Sequence, residues 1–312
     1  MTEKSDRLVL ADWGTSNLRL WVLDAAGQVC AHAASPDGAD GLKPTDYAPL
    51  LRARLHAMGL AESKVLPVIV CGMAGAWRGW REAGYVAAPA FPSACLHAAS
   101  AFTEAGLHVR ILPGLACEDA ARPDVMRGEE TQLLGFLASE PAFSGLLCLP
   151  GTHNKWVQLQ AGRVMRFHTA MTGELFALLA RHSVLRHVIG EAAGFAPDHP
   201  AFAAGVEAAL AHPARWPLAL FPIRAAGLLA GEKGAAAAAR LSGLLIGAEL
   251  AAALDGEASQ ELVLLASGKL APLYAQAIAR TKRACRQLDA EPLTLAGLEQ
   301  AARHLFPAFF QG

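Results

Sequence analysis

Two short stretches far apart in this chain read alike, and they restrict its fold more than any other feature. Residues 8–24, LVLADWGTSNLRLWVLD, run from an apolar strand (Leu8 to Ala11) through the carboxylate of Asp12 and a Gly14-Thr15-Ser16 turn into a second strand, Leu18 to Leu23. Residues 146–157, LLCLPGTHNKWV, repeat that plan: an apolar strand, a Gly-Thr-polar-Asn turn, and a strand carrying a tryptophan. Aligned on the glycines, Gly14-Thr15-Ser16-Asn17 meets Gly151-Thr152-His153-Asn154, and Trp21-Val22 is echoed by Trp156-Val157. A weak repeat at the spacing of a domain predicts two halves built alike.

Such a turn suits an anion. Glycine tolerates positive φ and lets a ligand approach the backbone, while successive N–H groups and the two hydroxyls converge on one concavity. On its own, Asp-Trp-Gly-Thr reads equally well as an ordinary hairpin turn. The second copy favours a phosphate clamp, with two hairpins facing each other across a cleft. The copies also differ: Leu149 stands where the first has Asp12, whereas His153 and Lys155 make the second cationic. Asp12 is therefore the candidate Mg²⁺ carboxylate, acting through metal-bound water, because Mg²⁺ gives up its hydration reluctantly. A metal side and a cationic side together match the needs of a nucleoside triphosphate.

The 312 residues allow two domains of ordinary size, and a 53% hydrophobic, 18% charged composition describes a large core. The formal net charge of −1, without a Lys/Arg run, argues against nucleic acid and anionic membrane as main partners and leaves a homo-oligomer open. No stretch approaches 18 uninterrupted apolar residues, and the polar start MTEKSDR runs directly into the first strand, which points to the cytoplasm. Six cysteines without CxxC spacing read as reduced packing residues.

Beyond the hairpins, the pattern predicts a third strand at Gln28 to His32, a helix at Tyr47 to Met58 and a buried strand at Val65 to Cys71. A helix at Ala94 to Ala105 and a strand at Val109 to Leu112 follow. The proline-dense stretch from Ala196 to Pro222 reads as an elaboration of the second half. The helix from Ala235 to Leu254 carries Gly243 and Gly247 one turn apart, which suits a close crossing at an interdomain hinge. A strand at Glu261 to Ala266, a Ser267-Gly268 turn and a helix from Leu270 to Arg286 complete the reading.

Three further segments could carry chemistry. In VMRGEETQLLG, Glu129 and Glu130 open a helix; carboxylates are common there for dipole reasons alone, but just ahead of the second hairpin's strand either could deprotonate an acceptor hydroxyl. The loop CGMAGAWRGW offers Gly72, Met73, Arg78 and Trp80, with Gly75, Gly79 and Trp77, as a pocket for a small anionic molecule, or else simply packs down on its tryptophans. In FHTAMTGELFALL, Thr172 is a plausible N-cap with Glu174 in the first turn, and Arg166, His168 and Arg127 are nearby cationic candidates. P-loop, GxGxxG and HExxH signatures are missing from the sequence.

In their order and wording, ADWGTSNLRLW, CGMAGAWRGW, MRGEETQLLG, LPGTHNKWV, MTGELFALL, LSGLLIGAEL and LASGKLAPLY resemble the 2-dehydro-3-deoxygalactonokinase family, in the sugar-kinase branch of the actin, Hsp70 and hexokinase superfamily. The resemblance implies an α/β fold of two ribonuclease-H-like domains with mixed sheets around an interdomain cleft, residues 1–140 and 141–312. It implies ATP and Mg²⁺, and phosphorylation of the C6 hydroxyl of 2-dehydro-3-deoxy-D-galactonate; a kinase for another sugar acid or amino sugar, or a non-catalytic sugar sensor, is the alternative. It places Asp12, Gly14, Thr15, Ser16, Asn17 and Arg19 in the first phosphate motif, Gly151 to Lys155 in the second, and Gly268 in the adenosine motif. Glu129 or Glu130 would be the catalytic carboxylate. A single glycine at Ser267-Gly268, where relatives often have two, and the missing acid at Leu149 depart from the superfamily pattern.

Overall fold

The computed structural model describes residues 6–60, 65–190, 194–256 and 261–311. The polar start at residues 1–5 lies outside them. The chain forms two compact units: residues 1–143, 160–166 and 290–312 make the first, and residues 144–159 and 167–289 the second. The C-terminal helix Ala290–Leu305 thus packs with the N-terminal half, on the other side of the expected division at residue 140.

In the first unit the strands are β1 (Arg7–Trp13), β2 (Leu18–Asp24), β3 (Val29–Ser35), β4 (Leu66–Gly72), β5 (Tyr85–Ala87), β6 (Ser100–Glu104), β7 (Leu107–Ile111), β8 (Gly114–Cys117) and β9 (Asp124–Met126). Six of them form a mixed sheet in the order β3-β2-β1-β4-β7-β6, and β5-β8-β9 form a small second sheet. β1, β4 and β7 are parallel neighbours, whereas β2 runs antiparallel to β1. Because side chains alternate along a strand, Val9, Ala11 and Trp13 enter one core with Tyr47, Leu51 and Trp80, while Leu8 and Leu10 enter the opposite core with Leu134, Leu298 and Ala301. Asp12 continues the Leu8–Leu10 side.

A five-stranded sheet consists of β10 (Gly145–Leu149), β11 (Asn154–Gln160), β12 (Arg163–Ala170), β13 (Leu262–Leu265) and β14 (Cys285–Leu288), in the order β12-β11-β10-β13-β14; it belongs to the second unit except for residues 160 and 163–166, which are counted with the first. Again the first strand pairs antiparallel with the second and parallel with the fourth. The sequence repeat is therefore a repeat of topology. Its register differs by one residue: Asp12 pairs with Arg19, but Leu149 pairs with Lys155. The second turn is one residue shorter, so Lys155 corresponds to Arg19, and Trp156 corresponds to Leu20. The echo of Trp21 in Trp156 is one of composition only, since the two rings lie on opposite faces of their sheets.

Several expected elements end early. The helix at residues 94–105 stops at His97, because Ser100–Glu104 turns back at Ala105-Gly106, both at positive φ, to pair with β7. The helix beginning at Leu270 stops at Ala279 and yields to β14. The proline-dense stretch becomes two helices, Pro200–Ala211 and Trp216–Leu229, with prolines in the first turn of each. Gly243 and Gly247 do mark a close crossing, but one inside the second unit: a Cβ on Gly243 would stand 2.2 Å from the carbonyl oxygen of Phe202. The hinge expectation is replaced by a helix pair. The helix Ala235–Ala253 is long and apolar enough to cross a membrane by length and composition, yet it lies largely buried against Pro200–Ala211.

Candidate active site

The first turn is braced from behind. The Gly14 N–H donates to the carbonyl of Asn17 at 2.9 Å, and Ala39 and Asp40 donate to the carbonyls of Gly14 and Thr15 at 2.9 and 3.0 Å. Gly14 itself is not in the left-handed region; the need for glycine falls on Gly38, where a Cβ would meet the carbonyl oxygen of Thr15 at 2.0 Å. Thr15, Ser16 and Asn17 are exposed on the other side. Asp12 sits between its two sheet neighbours. Arg19 donates to its Oδ2 through Nε at 3.0 Å and also through Nη2, and the buried Cys71 thiol lies 3.6 Å from Oδ1. Arg19 reaches Glu291 Oε2 at 3.4 Å as well.

Glu129 and Glu130 open the helix Glu129–Ser139 behind Gly128, which holds φ 102°. Their side chains have different surroundings. Glu130 is 1% exposed and folds back on its own helix start: Gly128 N–H donates to Oε2 at 2.6 Å and the Thr131 hydroxyl to Oε1 at 2.9 Å. Burial, with Glu129 beside it, pushes its carboxyl up to about 8. Glu129 is only partly buried and accepts the Arg127 backbone N–H at 3.0 Å. A carboxyl that is mostly protonated at neutral pH and sealed from solvent is a poor general base.

The CGMAGAWRGW loop divides into a buried and an open part. Gly72, at φ 88°, lies against β1, where a Cβ would meet the Trp13 carbonyl oxygen at 2.5 Å. Trp80, a candidate ligand surface in the sequence, is instead a core residue: its ring stacks on Tyr47 and its N–H donates to Glu104 at 3.0 Å. Trp77 is 74% exposed, with the Arg78 guanidinium 4.9 Å from its ring centre, and Met73 is partly exposed. Arg127 lies over the Tyr85 ring and donates to the Gly84 carbonyl at 2.8 Å; its Nε and Nη1 are buried. Arg166 is exposed on β12.

The second turn is built differently. Asn154 is buried and accepts the Gly151 N–H on Oδ1 at 2.7 Å, so its side chain shapes the turn from inside and offers nothing to a ligand. Thr152 and His153 are exposed, and His153 pairs with Glu174 at 2.5 Å. Lys155 is 5% exposed, and its ammonium donates to the Thr169 hydroxyl at 2.9 Å; among the described residues no carboxylate pairs with it. At the corresponding position of the first hairpin Arg19 is neutralised by Asp12. A buried ammonium held only by a neutral acceptor attracts an anion.

Thr172, expected as an N-cap, is the first helical residue of Thr172–His182, and its hydroxyl turns inward to Glu249. Glu249 escaped the sequence reading. On the buried face of Ala235–Ala253 it accepts four donors: Thr172 Oγ1 at 2.5 Å, Trp156 Nε1 at 2.7 Å, and Asn154 Nδ2 and Tyr274 OH at 2.8 Å each. Burial raises its pKa while these donors pull it back. The available signal was an acid inside the apolar run LSGLLIGAEL, a place where an acid persists only when paired. Gly268, at φ 60° with open space where a Cβ would be, follows Ser267, whose hydroxyl bonds Asp289.

No cluster of three or more His, Cys, Asp or Glu side chains forms a metal cage among the described residues. One partly exposed carboxylate beside an open Gly-Thr-Ser turn fits Mg²⁺ held through water and phosphate oxygens, not by direct chelation alone.

Two sheets that share the strand order third-second-first-fourth, each with a Gly-Thr turn between its first two strands, define the actin-like ATPase fold. The 2-keto-3-deoxy-galactonokinase family model matches residues 12–301, and the chain belongs to that family. It is 45% identical to the "Probable 2-dehydro-3-deoxygalactonokinase DgoK1" of Rhizobium meliloti (strain 1021) over 297 residues, 95% of this chain and 96% of the relative. It is 36% identical to the 2-dehydro-3-deoxygalactonokinase of Escherichia coli (strain K12), covering 87% of this chain and 89% of that one. The crystal structure of a "putative 2-dehydro-3-deoxygalactonokinase protein" from Sinorhizobium meliloti superposes with a TM-score of 0.89 at 44% identity, over 96% of this chain and 99% of that one.

Proposed function

We propose that this protein transfers the γ-phosphoryl group of ATP to the C6 hydroxyl of 2-dehydro-3-deoxy-D-galactonate, giving the 6-phosphate and ADP, in the cytoplasm. The observation that carries the reading is the unequal pair of hairpins in a chain of this family. The first sets a carboxylate, Asp12, against Arg19; the second sets the buried Lys155 against a hydroxyl alone.

Lys155 and the backbone N–H groups of Thr152 and His153 take phosphate oxygens, and Gly268 leaves room for the flat adenosine. Asp12, held in place by Arg19, orders the waters of Mg²⁺ beside Thr15 and Ser16. When bound, Mg²⁺ offsets negative charge on the transferring phosphoryl group. Glu129 accepts the proton of the acceptor hydroxyl; in a loose phosphoryl-transfer transition state a positioned carboxylate of ordinary pKa suffices. Arg78 beside Trp77 is assigned to the substrate carboxylate, with Met73 and the Gly72 backbone next to it.

ADP release measured against a panel of sugar acids and amino sugars tests the reading. Turnover fastest with 2-dehydro-3-deoxy-D-galactonate supports it. Preference for another sugar acid or for an amino sugar reassigns the substrate, and no turnover with any of them would favour a sugar sensor.

A further inference from the structure

Glu249 receives hydrogen bonds from four side chains on three elements of the second unit, and two of them, Asn154 and Thr172, meet at the Gly151–Asn154 turn. Through Asn154 Nδ2 it fixes an amide whose Oδ1 in turn holds the Gly151 N–H at 2.7 Å. Through the Thr172 hydroxyl it seats the start of the helix Thr172–His182. That helix start lies directly on the turn: Glu174 N–H donates to the Thr152 carbonyl at 3.1 Å, and a Cβ on Gly173 would stand 2.6 Å from the Gly151 carbonyl oxygen. Trp156 and Tyr274 complete the set, tying the carboxylate to β11 and to the helix Leu270–Ala279.

The donor set also explains why the residue is an acid. Two hydroxyls, an indole N–H and an amide NH₂ converge on two oxygens that only accept. Glutamine of the same shape offers one acceptor oxygen and an NH₂ that would face the remaining donors. Partly satisfied buried networks are costly, so the turn would move to recover its hydrogen bonds.

We propose that Glu249 is a positioning residue for nucleotide binding: without touching ATP, it sets the Gly151–Asn154 turn and the helix start beside it in the conformation that receives phosphate. The inference rests on the assignment of Gly151 to Lys155 to phosphate binding.

The test compares Glu249→Gln, Tyr274→Phe and Lys155→Met, measuring kcat, KM for ATP and for the sugar acid, and Kd for a non-hydrolysable ATP analogue, at a temperature well below each Tm. Glu249→Gln should raise the KM for ATP and the Kd of the analogue at least tenfold, with the KM for the sugar acid within about twofold of the parent. Tyr274→Phe keeps the carboxylate and removes one donor, and should shift the same constants in the same direction by a smaller factor. It serves as the readout if Glu249→Gln does not fold. A fall in Tm with unchanged nucleotide constants, or equal effects on both substrates, would overturn the proposal. If Lys155→Met leaves the nucleotide constants unchanged, the phosphate assignment fails instead.

Discussion

Arg19 Nε lies 3.0 Å from Asp12 Oδ2, directly across the β1–β2 ladder, so the acid proposed to order the metal is held by its own strand partner. Leu149 occupies the corresponding place in the second hairpin and offers no substitute carboxylate. Asp12→Asn is expected to lower kcat by on the order of 10³ or more, the size seen when a charge-stabilising group is removed from such a site. Steady-state kinetics at saturating ATP and Mg²⁺ check this, and a variant retaining most of its turnover would remove Asp12 from the metal role.

The two glutamates at the start of Glu129–Ser139 should separate cleanly. Glu129→Gln is expected to reduce kcat by roughly 10² to 10⁴, the usual range for a general base. Glu130→Gln should leave kcat within a few-fold, because the parent carboxyl is sealed in and mostly protonated at neutral pH.

Glu130 also predicts a pH dependence of stability. Its carboxyl is raised from 4.5 to about 8, so between those values the folded protein holds a proton that the unfolded chain has released. Where the folded state binds the extra proton, stability falls as pH rises. The parent should lose stability progressively from about pH 4.5 to pH 8 and then level off, and Glu130→Gln should flatten that loss. Urea unfolding at a series of pH values measures it; equal slopes for both proteins would contradict the assignment.

Lys155→Met removes the buried ammonium of the second hairpin and leaves an unbranched apolar side chain. A hydrogen bond to a charged group contributes about 1.5–3 kcal/mol, so kcat/KM for ATP should fall by a factor of roughly 10 to 150. The KM for the sugar acid should change little.

In the first unit the helices Glu129–Ser139 and Ala290–Leu305 cross at glycines. A Cβ on Gly297 would lie 2.0 Å from the Thr131 carbonyl oxygen, and one on Gly135 would lie 1.9 Å from that of Leu293. Backbone cannot yield as a side-chain tip can, so Gly297→Ala should destabilise by at least the 1–3 kcal/mol typical of overpacking. Thermal unfolding would show this as a clear drop in Tm.

The local plan of the two hairpins was legible in the sequence alone. Strand, turn and strand are written in the alternation and apolar runs of residues 8–24 and 146–157, and their repetition was enough to imply a duplicated α/β fold. Gly268 and the acids at 12, 129 and 130 could be picked out because each stands at a strand end, a turn or a helix start, where such residue types can serve a ligand. Only the tertiary structure decided which of these are exposed and which are buried. Trp80 and Asn154 look like binding residues in sequence yet point inward, because a strand or loop side chain is assigned a side by register and packing, not by its type. The same cause hid Glu249, whose four donors come from segments 25 to 95 residues away. It also put the C-terminal helix with the first half of the chain. Sequence spacing fixes what neighbours along the backbone can do; which distant groups share a buried carboxylate is set by how the helices pack on the sheets.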